Sequence, residues 1–194
     1  MTEAETHPAF AGAVLATRTP GQPGVSVAER SGIGTINLRG QPDNTGFMEA
    51  AAAVLGNALP TTPNTVAFAD DIESLWLAPT EWLVRCDLDQ QARLEQELED
   101  ALADQFTAIN DLSGYYTTLT IIGRNAAELL ARGTPLDVHP RVFAPGQCAQ
   151  TVFAHAGIIL MPRMAETSCF DMLVRRSFAD YVWRWLDDAM RCLD

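Results

Sequence analysis

One stretch of this chain, residues 137–151, brings together several side chains that could do chemistry. It reads Asp-Val-His-Pro-Arg-Val-Phe-Ala-Pro-Gly-Gln-Cys-Ala-Gln-Thr. Its histidine, His139, its cysteine, Cys148, and the later His155 and Cys169 are separated by 9, 7 and 14 residues. None of these spacings is that of a paired zinc-ligand motif, and no C-x-x-C pair occurs. We therefore expect no metal site, and we expect reduced, mostly buried thiols in a cytosolic chain.

Two further motifs are incomplete. Gly32-Ile-Gly34 resembles the start of a dinucleotide-binding loop, but the third glycine is replaced by Asn37, and no helix follows to receive a pyrophosphate. Asp111 and Ser113 lack the G-x-S-x-G elbow of a hydrolase and are expected to shape a turn through Asx-type hydrogen bonds. We therefore predict no catalytic residue and no flavin or nicotinamide site in this chain.

Composition narrows the class of protein further. The 194 residues are 47% hydrophobic and 20% charged, with a net charge of −12, and all 13 basic residues are arginine. An acidic chain repels phosphate, so nucleic acids and anionic membranes are disfavoured partners, although a basic protein partner would fit. The absence of lysine excludes Schiff-base and P-loop chemistry. Without a membrane-spanning run or a signal-peptide pattern, the expected location is the cytoplasm.

The elements that must position these residues form two similar halves. Residues 1–24, rich in Ala, Thr, Gly and Pro, predict a flexible N-terminal arm. The rest, residues 25–194, is predicted as two lobes of about residues 25–110 and 111–194. Each lobe contains a β-turn-β unit and then an amphipathic helix, at 75–86 with 88–103 and at 157–175 with 177–190. This order predicts an α+β fold of two intertwined βαβ-type lobes with mixed or antiparallel sheet.

Capping residues and hydrophobic patterns predict where the other helices and strands lie. A first strand or hairpin is expected over 25–38, and Asn44 is expected to cap a helix that Gly56 ends. Ser177 and Asp180 are expected to open the last helix as an imperfect capping box, with a core face that contains Trp185. Further strands and one helix are expected at 106–110, 111–122, 123–133 (the helix), 148–154, 157–163 and 169–175.

Three groups of residues are candidates for contact with another protein. Trp183 lies about 160° from Trp185 on the helical wheel, where solvent is expected, so it predicts a contact surface. His139 could shuttle protons, but a hydrogen-bonded loop histidine is the commoner outcome. Arg141 could reach a partner's carboxylate, although local pairing is commoner. We predict Trp183, the N-terminal arm and the 134–147 loop, with His139 and Arg141, as the contact regions.

Three segments together resemble the gamma subunit of heterotetrameric sarcosine oxidase. They are Leu59-Pro-Thr-Thr-Pro-Asn-Thr65 leading to Leu75-Trp-Leu-Ala-Pro-Thr-Glu-Trp-Leu83, then Asp111-Leu-Ser-Gly through Leu129-Leu130, and then Gly133-Thr-Pro-Leu-Asp-Val-His-Pro-Arg-Val-Phe-Ala-Pro-Gly-Gln-Cys-Ala-Gln-Thr151 continuing to Phe170-Asp-Met-Leu-Val-Arg-Arg-Ser-Phe178. The similarity spans roughly residues 25 to 190, and the last segment is the most specific.

The resemblance implies a subunit of a complex that demethylates sarcosine oxidatively to glycine, releases hydrogen peroxide and passes the one-carbon unit to tetrahydrofolate. It implies that FAD, FMN, NAD and tetrahydrofolate belong to the alpha and beta subunits and zinc to the delta subunit. It also implies a fold similar to the folate-binding domain of aminomethyltransferases. Asp111-x-Ser113 and Gly123-x-x-Ala126 match part of that wider pattern, but no set of folate-contacting residues does, so folate binding is not expected here.

We therefore expect a structural, assembly role and no oxidase activity of the isolated chain. Two alternatives stay open. One is a stand-alone folate-binding protein of the aminomethyltransferase-like fold, in which Asp111 or Asp137 would face a pterin ring. The other is the equivalent subunit of an N-methylglutamate or dimethylglycine dehydrogenase.

Overall fold

The computed structural model describes residues 24–165 and 167–193. The arm predicted over residues 1–24 thus lies, apart from Gly24, outside the described residues. The elements, in chain order, are β1 (Ser26–Arg30), β2 (Ile33–Arg39), α1 (Thr45–Leu55), β3 (Val66–Ala69), β4 (Ile72–Ala78), β5 (Glu81–Asp87), α2 (Leu88–Ala101), β6 (Ala108–Asp111), β7 (Tyr116–Ile122), α3 (Ala126–Ala131), β8 (Ala149–Phe153), β9 (Ala156–Pro162), β10 (Cys169–Arg175), a 3₁₀ turn (Arg176–Phe178) and α4 (Ala179–Arg191).

The chain forms two compact units. Unit 2 consists of Gly32–Ser113 and Gly146–Cys148, and unit 1 contains the described residues up to Ser31, Gly114–Pro145 and those from Ala149 onward. Each unit has one five-stranded sheet, in the order β1-β7-β10-β9-β8 in unit 1 and β3-β4-β5-β2-β6 in unit 2. All strand pairs in both sheets are antiparallel. The α+β class is confirmed.

Of the two alternatives for residues 25–38, a strand or a hairpin, the hairpin is wrong. Residues 25–38 do form two strands, but β1 pairs with β7 and β2 pairs with β5 and β6. The chain leaves one sheet and enters the other at Gly32, whose φ of 77° is favourable for glycine. The division of the chain consequently differs from lobes of 25–110 and 111–194, because β1 belongs to the unit built mostly from the second half.

Helix α1 forms where its sequence predicts. The Asn44 side chain accepts a hydrogen bond from the backbone N–H of Phe47 at 3.1 Å, and Gly56 ends the helix with a φ of 70°, as a left-handed cap requires. Phe47, Ala51 and Leu55, four residues apart, are its buried face. The predicted cap and stop are confirmed.

Each unit has its own hydrophobic core. In unit 1 the core includes alternate residues of β7, β9 and β10 and the buried faces of α3 and α4. In unit 2 it includes alternate residues of β2 and β5 with α1 and α2, and Trp82 donates its indole N–H to the Pro60 carbonyl at 2.7 Å. Along the described residues, no helix combines the length and hydropathy that crossing a bilayer would require.

Candidate functional site

The loop over residues 134–147 belongs to the segment in which the family resemblance is most specific. Two buried side chains hold this loop. Val138 and Phe143 belong to the core of unit 1, while His139, Arg141 and Val142 between them are exposed. The four residues between these two anchors, 139–142, are all exposed. The loop therefore presents His139 and Arg141 on the surface of unit 1.

Local hydrogen bonds fix the conformation of this loop. The Asp137 carboxylate accepts from the backbone N–H of His139 at 3.0 Å, and His139 Nδ1 accepts from the backbone N–H of Arg141 at 3.2 Å. The His139 carbonyl accepts from the N–H groups of Val142 and Phe143 at 2.8 and 2.9 Å. His139 is thus the hydrogen-bonded loop histidine that was expected as the commoner outcome. Its neutral form carries the ring hydrogen on Nε2.

The end of the loop, Gly146–Cys148, belongs to unit 2. Gly146 accepts from the N–H of Val66 at 2.9 Å, and the N–H of Cys148 donates to Asn64 at 2.9 Å. The Cys148 thiol lies 3.5 Å from the Trp76 carbonyl oxygen and 3.7 Å from that of Thr65. Burial raises the pKa of Cys148 to about 12, so this thiol stays protonated and acts as a small core side chain.

The other buried thiols have the same character. Burial, together with the nearby carboxylates of Asp87, Asp89 and Asp111, raises the pKa of Cys86 to about 11. Burial and the nearby Asp171 also raise the pKa of Cys169. None of these three thiols is activated as a nucleophile, which would need a lowered pKa. In residues 24–165 and 167–193, no three His, Cys, Asp or Glu side chains are grouped as metal ligands would be.

Asp111 and Ser113 form the predicted turn. The Asp111 carboxylate accepts from the backbone N–H of Ser113 at 2.7 Å, and the Ser113 hydroxyl oxygen accepts from the N–H of Thr35 at 3.0 Å. The Asx-type role of Asp111 is confirmed. A carboxylate that recognises a pterin would have to be partly enclosed and available, whereas Asp111 and Asp137 are exposed and each holds its own turn. Neither fits such a folate site.

Trp183 is not where the helical wheel placed it. Its exposed fraction is only 6%, and it packs in the core of unit 1. The expected capping box is also absent, because α4 begins at Ala179 after a 3₁₀ turn and Phe178 occupies its N-cap without a side-chain cap bond. The buried arc of α4 consists of Ala179, Val182, Trp183, Leu186 and Met190.

The sequence is compatible with either arc of α4, since the predicted core face of Phe178, Val182, Trp185, Leu186 and Ala189 is apolar at helical spacing too. Counted from Ala179, residues at i+3, i+4 and i+7 are all apolar, which is the pattern of a core-facing helix. Trp185 is half-buried instead, with its ring edge-to-face against Phe153 at 4.8 Å. Exchange of Trp183 for alanine would leave a cavity at a cost of about 3–5 kcal/mol. A Trp183→Ala chain would therefore test folding stability and not a contact surface.

Unit 2 also contains a groove that the sequence did not suggest. Its volume is about 730 Å³, and it lies between the end of α1, the β3–β4 turn and α2. Its charged side chains are Asp70, Asp71 and Arg93, all exposed. A ligand pocket usually encloses its few polar groups within an apolar lining. These exposed, solvated charges do not have that arrangement.

Comparison with known proteins identifies the family. Residues 39–191 match the model of the sarcosine oxidase, gamma subunit family. The chain is 32% identical over 184 residues to the sarcosine oxidase subunit gamma of Corynebacterium sp. strain U-96. This match covers 93% of this chain and 86% of the relative.

Solved structures agree with this match. A chain of the heterotetrameric sarcosine oxidase from Corynebacterium sp. U-96, in complex with pyrrole 2-carboxylate, superposes with a TM-score of 0.84 at 31% identity, over 94% of this chain and 91% of that one. The glycine cleavage system aminomethyltransferase T from Bartonella henselae shares the fold, with a TM-score of 0.62 at 15% identity, over 85% of this chain and 46% of that one. The chain described here belongs to the sarcosine oxidase gamma subunit family.

Proposed function

We propose that this chain is the gamma subunit of a heterotetrameric sarcosine oxidase complex, in which it supports assembly and has no oxidase activity by itself. The observation that carries the proposal is the similarity to one chain of such a complex over nearly the whole length of both chains. The activity of the complex would be the oxidative demethylation of sarcosine to glycine.

The cofactors of this complex would lie in the partner subunits. We assign FAD, FMN, NAD and tetrahydrofolate to the alpha and beta subunits and zinc to the delta subunit. In the described part of this chain, the buried thiols Cys86 and Cys148 have raised pKa values, and Asp111 and Asp137 are engaged in turns. These side chains therefore serve the fold, which supports a structural role.

The 134–147 loop would be one contact with a partner subunit. Its backbone is fixed by the bonds around His139, so little conformational entropy would be lost when a partner binds it. The exposed guanidinium of Arg141 could then pair with a carboxylate across the interface. An Arg141→Ala chain should be incorporated less efficiently into the complex while its unfolding midpoint stays unchanged. Equal incorporation would remove this loop from the interface.

The first experiment is affinity purification of the tagged chain from its native cell. Masses of the co-purifying chains, a visible absorption spectrum and a peroxide assay with sarcosine would be recorded on the same sample. We expect larger partners, the absorption of bound flavin and peroxide formation with sarcosine. A colourless monomer without partners would overturn the proposal, and tetrahydrofolate titration of that monomer would then test the stand-alone alternative.

The same sample distinguishes the sister complexes. Turnover of N-methylglutamate or dimethylglycine, without turnover of sarcosine, would replace the substrate but keep the role of this chain as a subunit. A cytoplasmic location is part of the proposal, since the buried, unpaired thiols Cys86, Cys148 and Cys169 suit a reducing compartment. Cell fractionation followed by detection of the tag tests it.

A further inference from the structure

A group of aromatic and arginine side chains is exposed where β7 begins and β10 ends in unit 1. Tyr115 precedes β7, Arg175 is the last residue of β10, and the turn Arg176–Phe178 leads into α4, which carries Tyr181. The backbone N–H of Arg176 donates to the Tyr115 carbonyl at 2.9 Å, which joins the two segments. We name as the aromatic–arginine surface the residues Tyr115, Arg175, Phe178 and Tyr181.

The exposure of this surface is the first reason to assign it a partner. Tyr115, Phe178 and Tyr181 are 42%, 39% and 38% exposed. An isolated exposed apolar residue is normal. Here one exposed ring, Tyr115, lies beside an arginine, and the other two, Phe178 and Tyr181, follow that arginine closely in the chain, a combination typical of binding surfaces. Tyrosine and arginine are also over-represented among the residues that dominate binding energy.

The side chains are already ordered by contacts with one another. The Arg175 guanidinium carbon lies 5.7 Å from the centroid of the Tyr115 ring, in the range of a cation–π contact. Tyr115 packs edge-to-face on Tyr116 at 4.8 Å, and Phe178 on Tyr181 at 6.5 Å. Rings with few rotatable bonds, held in advance, lose little entropy on binding. The surface is therefore prepared to bind without rearrangement.

Charge indicates what kind of partner fits. The Arg175 side chain is exposed and its guanidinium lies over the Tyr115 ring, and the nearby Asp180 is paired with Arg184 at 2.9 Å. The surface is thus locally positive on a chain whose net charge is −12. A polyanion such as a nucleic acid would be repelled by the chain as a whole. A short acidic segment of a protein would meet only the local positive charge.

We propose that the aromatic–arginine surface binds an acidic segment of a partner subunit of the oxidase complex. A carboxylate of that segment would pair with the Arg175 guanidinium, and a neighbouring apolar side chain would pack on the rings of Tyr115, Phe178 and Tyr181. This inference rests on the proposed function, since it needs the complex to exist. It adds the surface that is used and the chemistry of the segment that occupies it.

Competition for incorporation into the complex tests the proposal. Wild-type and variant chains with different tags would be co-expressed with the other subunits, and their ratio in the purified complex would be divided by their ratio in the soluble lysate. We expect this quotient to fall roughly 10- to 100-fold for Arg175→Glu and by a smaller factor for Tyr181→Ser, because interface hot spots cost 2 kcal/mol or more.

Matched controls lie in unit 2. Arg93→Glu makes the same charge change at an exposed arginine of α2, and Phe106→Ser removes an exposed ring outside the surface. Both should keep a quotient near one. Equal incorporation of Arg175→Glu and wild type would overturn the proposal, and so would an equal loss for Arg93→Glu, which would indicate an effect of net charge alone.

The design separates this proposal from the one on which it rests. If the wild-type chain forms no complex, the proposed function itself fails. If the wild-type chain does form a complex, the variants decide whether the aromatic–arginine surface contacts a partner subunit. Unfolding midpoints of the purified variant chains would exclude misfolding as the cause. Should Arg175→Glu lower the midpoint, Tyr181→Ser decides the matter alone, and its unchanged incorporation would overturn the proposal.

Discussion

The two units bury charge in different ways. In unit 2, Arg85 and Glu73 face each other across β5 and β4 at 2.8 Å, and their side chains are only 2% and 12% exposed. In unit 1, the Asp171 carboxylate on β10 is buried, but the guanidiniums of Arg30 and Arg163, at 3.1 and 3.7 Å, are partly open to solvent.

This difference decides what happens when a partner is removed. Loss of Glu73 would leave Arg85 as a charge enclosed by protein, whereas loss of the Asp171 charge would leave two arginines that water can reach. An enclosed charge that loses an ionic partner is expensive, because the hydration it gave up on folding is not restored. The two units should therefore respond unequally to the same kind of substitution.

The largest effect is expected for Glu73→Gln. Because Arg85 would keep its charge in a buried position, the free energy of unfolding should fall by about 3–5 kcal/mol. Urea denaturation of the full chain measures this. Glu97→Gln, which breaks the exposed pair with Arg93, is the control and should change stability by less than about 0.5 kcal/mol. A loss below about 1 kcal/mol for Glu73→Gln would contradict the interpretation.

Asp171→Asn should cost less. It removes a charge-assisted hydrogen bond from the Thr120 hydroxyl, 2.7 Å away, and the pairing with Arg30 and Arg163. The loss expected is about 1.5–3 kcal/mol, since the two arginines can be solvated. The same urea titration gives the value. If Asp171→Asn destabilised the chain as much as Glu73→Gln, solvent access to the partners would not be the deciding factor.

Alkaline pH should affect the two buried thiols of unit 2 more than Cys169, the buried thiol of unit 1. Carboxylates add to the effect of burial at Cys86, whereas Arg163 and Arg30 oppose it at Cys169. The folded-state pKa of Cys86 is raised from 9.0 to about 11. The unfolded chain therefore loses this proton first, and stability decreases as pH rises above 9.0 towards about 11.

Stability measured from pH 8 to pH 10 tests this expectation. Each pH unit between the two pKa values should cost about 1.4 kcal/mol for one such thiol. Cys86→Ala should remove that part of the slope, and Cys169→Ala should remove less. At pH 7 to 8 the difference between each variant and wild type should not depend on pH. An unchanged slope in Cys86→Ala would be the contrary result.

The smallest effect concerns the start of α1. Asn44→Ala removes the bond that caps the Phe47 N–H and should lower stability by about 1 kcal/mol. Gln105→Ala is the matched control, because it removes only the exposed amide contact with Asn44. Thermal or urea unfolding would compare the two. Equal effects would mean that the amide contact, and not the cap, stabilises this end of the helix.

Local elements could be predicted because their causes lie within a few residues. The cap Asn44, the stop Gly56 and apolar residues four apart are enough for α1. The strand pair β4–β5 follows from alternating residues around Pro79-Thr80. The turn of Asp111 and Ser113 needs only an Asx side chain two residues before an N–H group. The spacings of the cysteines and histidines, which match no paired metal-ligand motif, can likewise be read without a structure.

Other features could not be predicted from neighbouring residues. Whether Trp183 faces the core depends on which arc of α4 is buried, and the structure buries the arc of Ala179, Val182, Trp183, Leu186 and Met190. Phe178 lies in the 3₁₀ turn before α4 and is 39% exposed. The cluster around Asp171 joins residues up to 141 positions apart, a separation that no local pattern encodes.

The sequence by itself determined the family, the identity of most helices and strands, and the absence of any familiar catalytic spacing. These properties depend on residue type and on periodicities of two to four residues. Only the tertiary structure decided that β1 pairs with β7, that Trp183 is buried and that Tyr115 meets Arg175. Strand pairing and side-chain burial are set by contacts between distant segments, whose free energy is gained only when the whole unit folds.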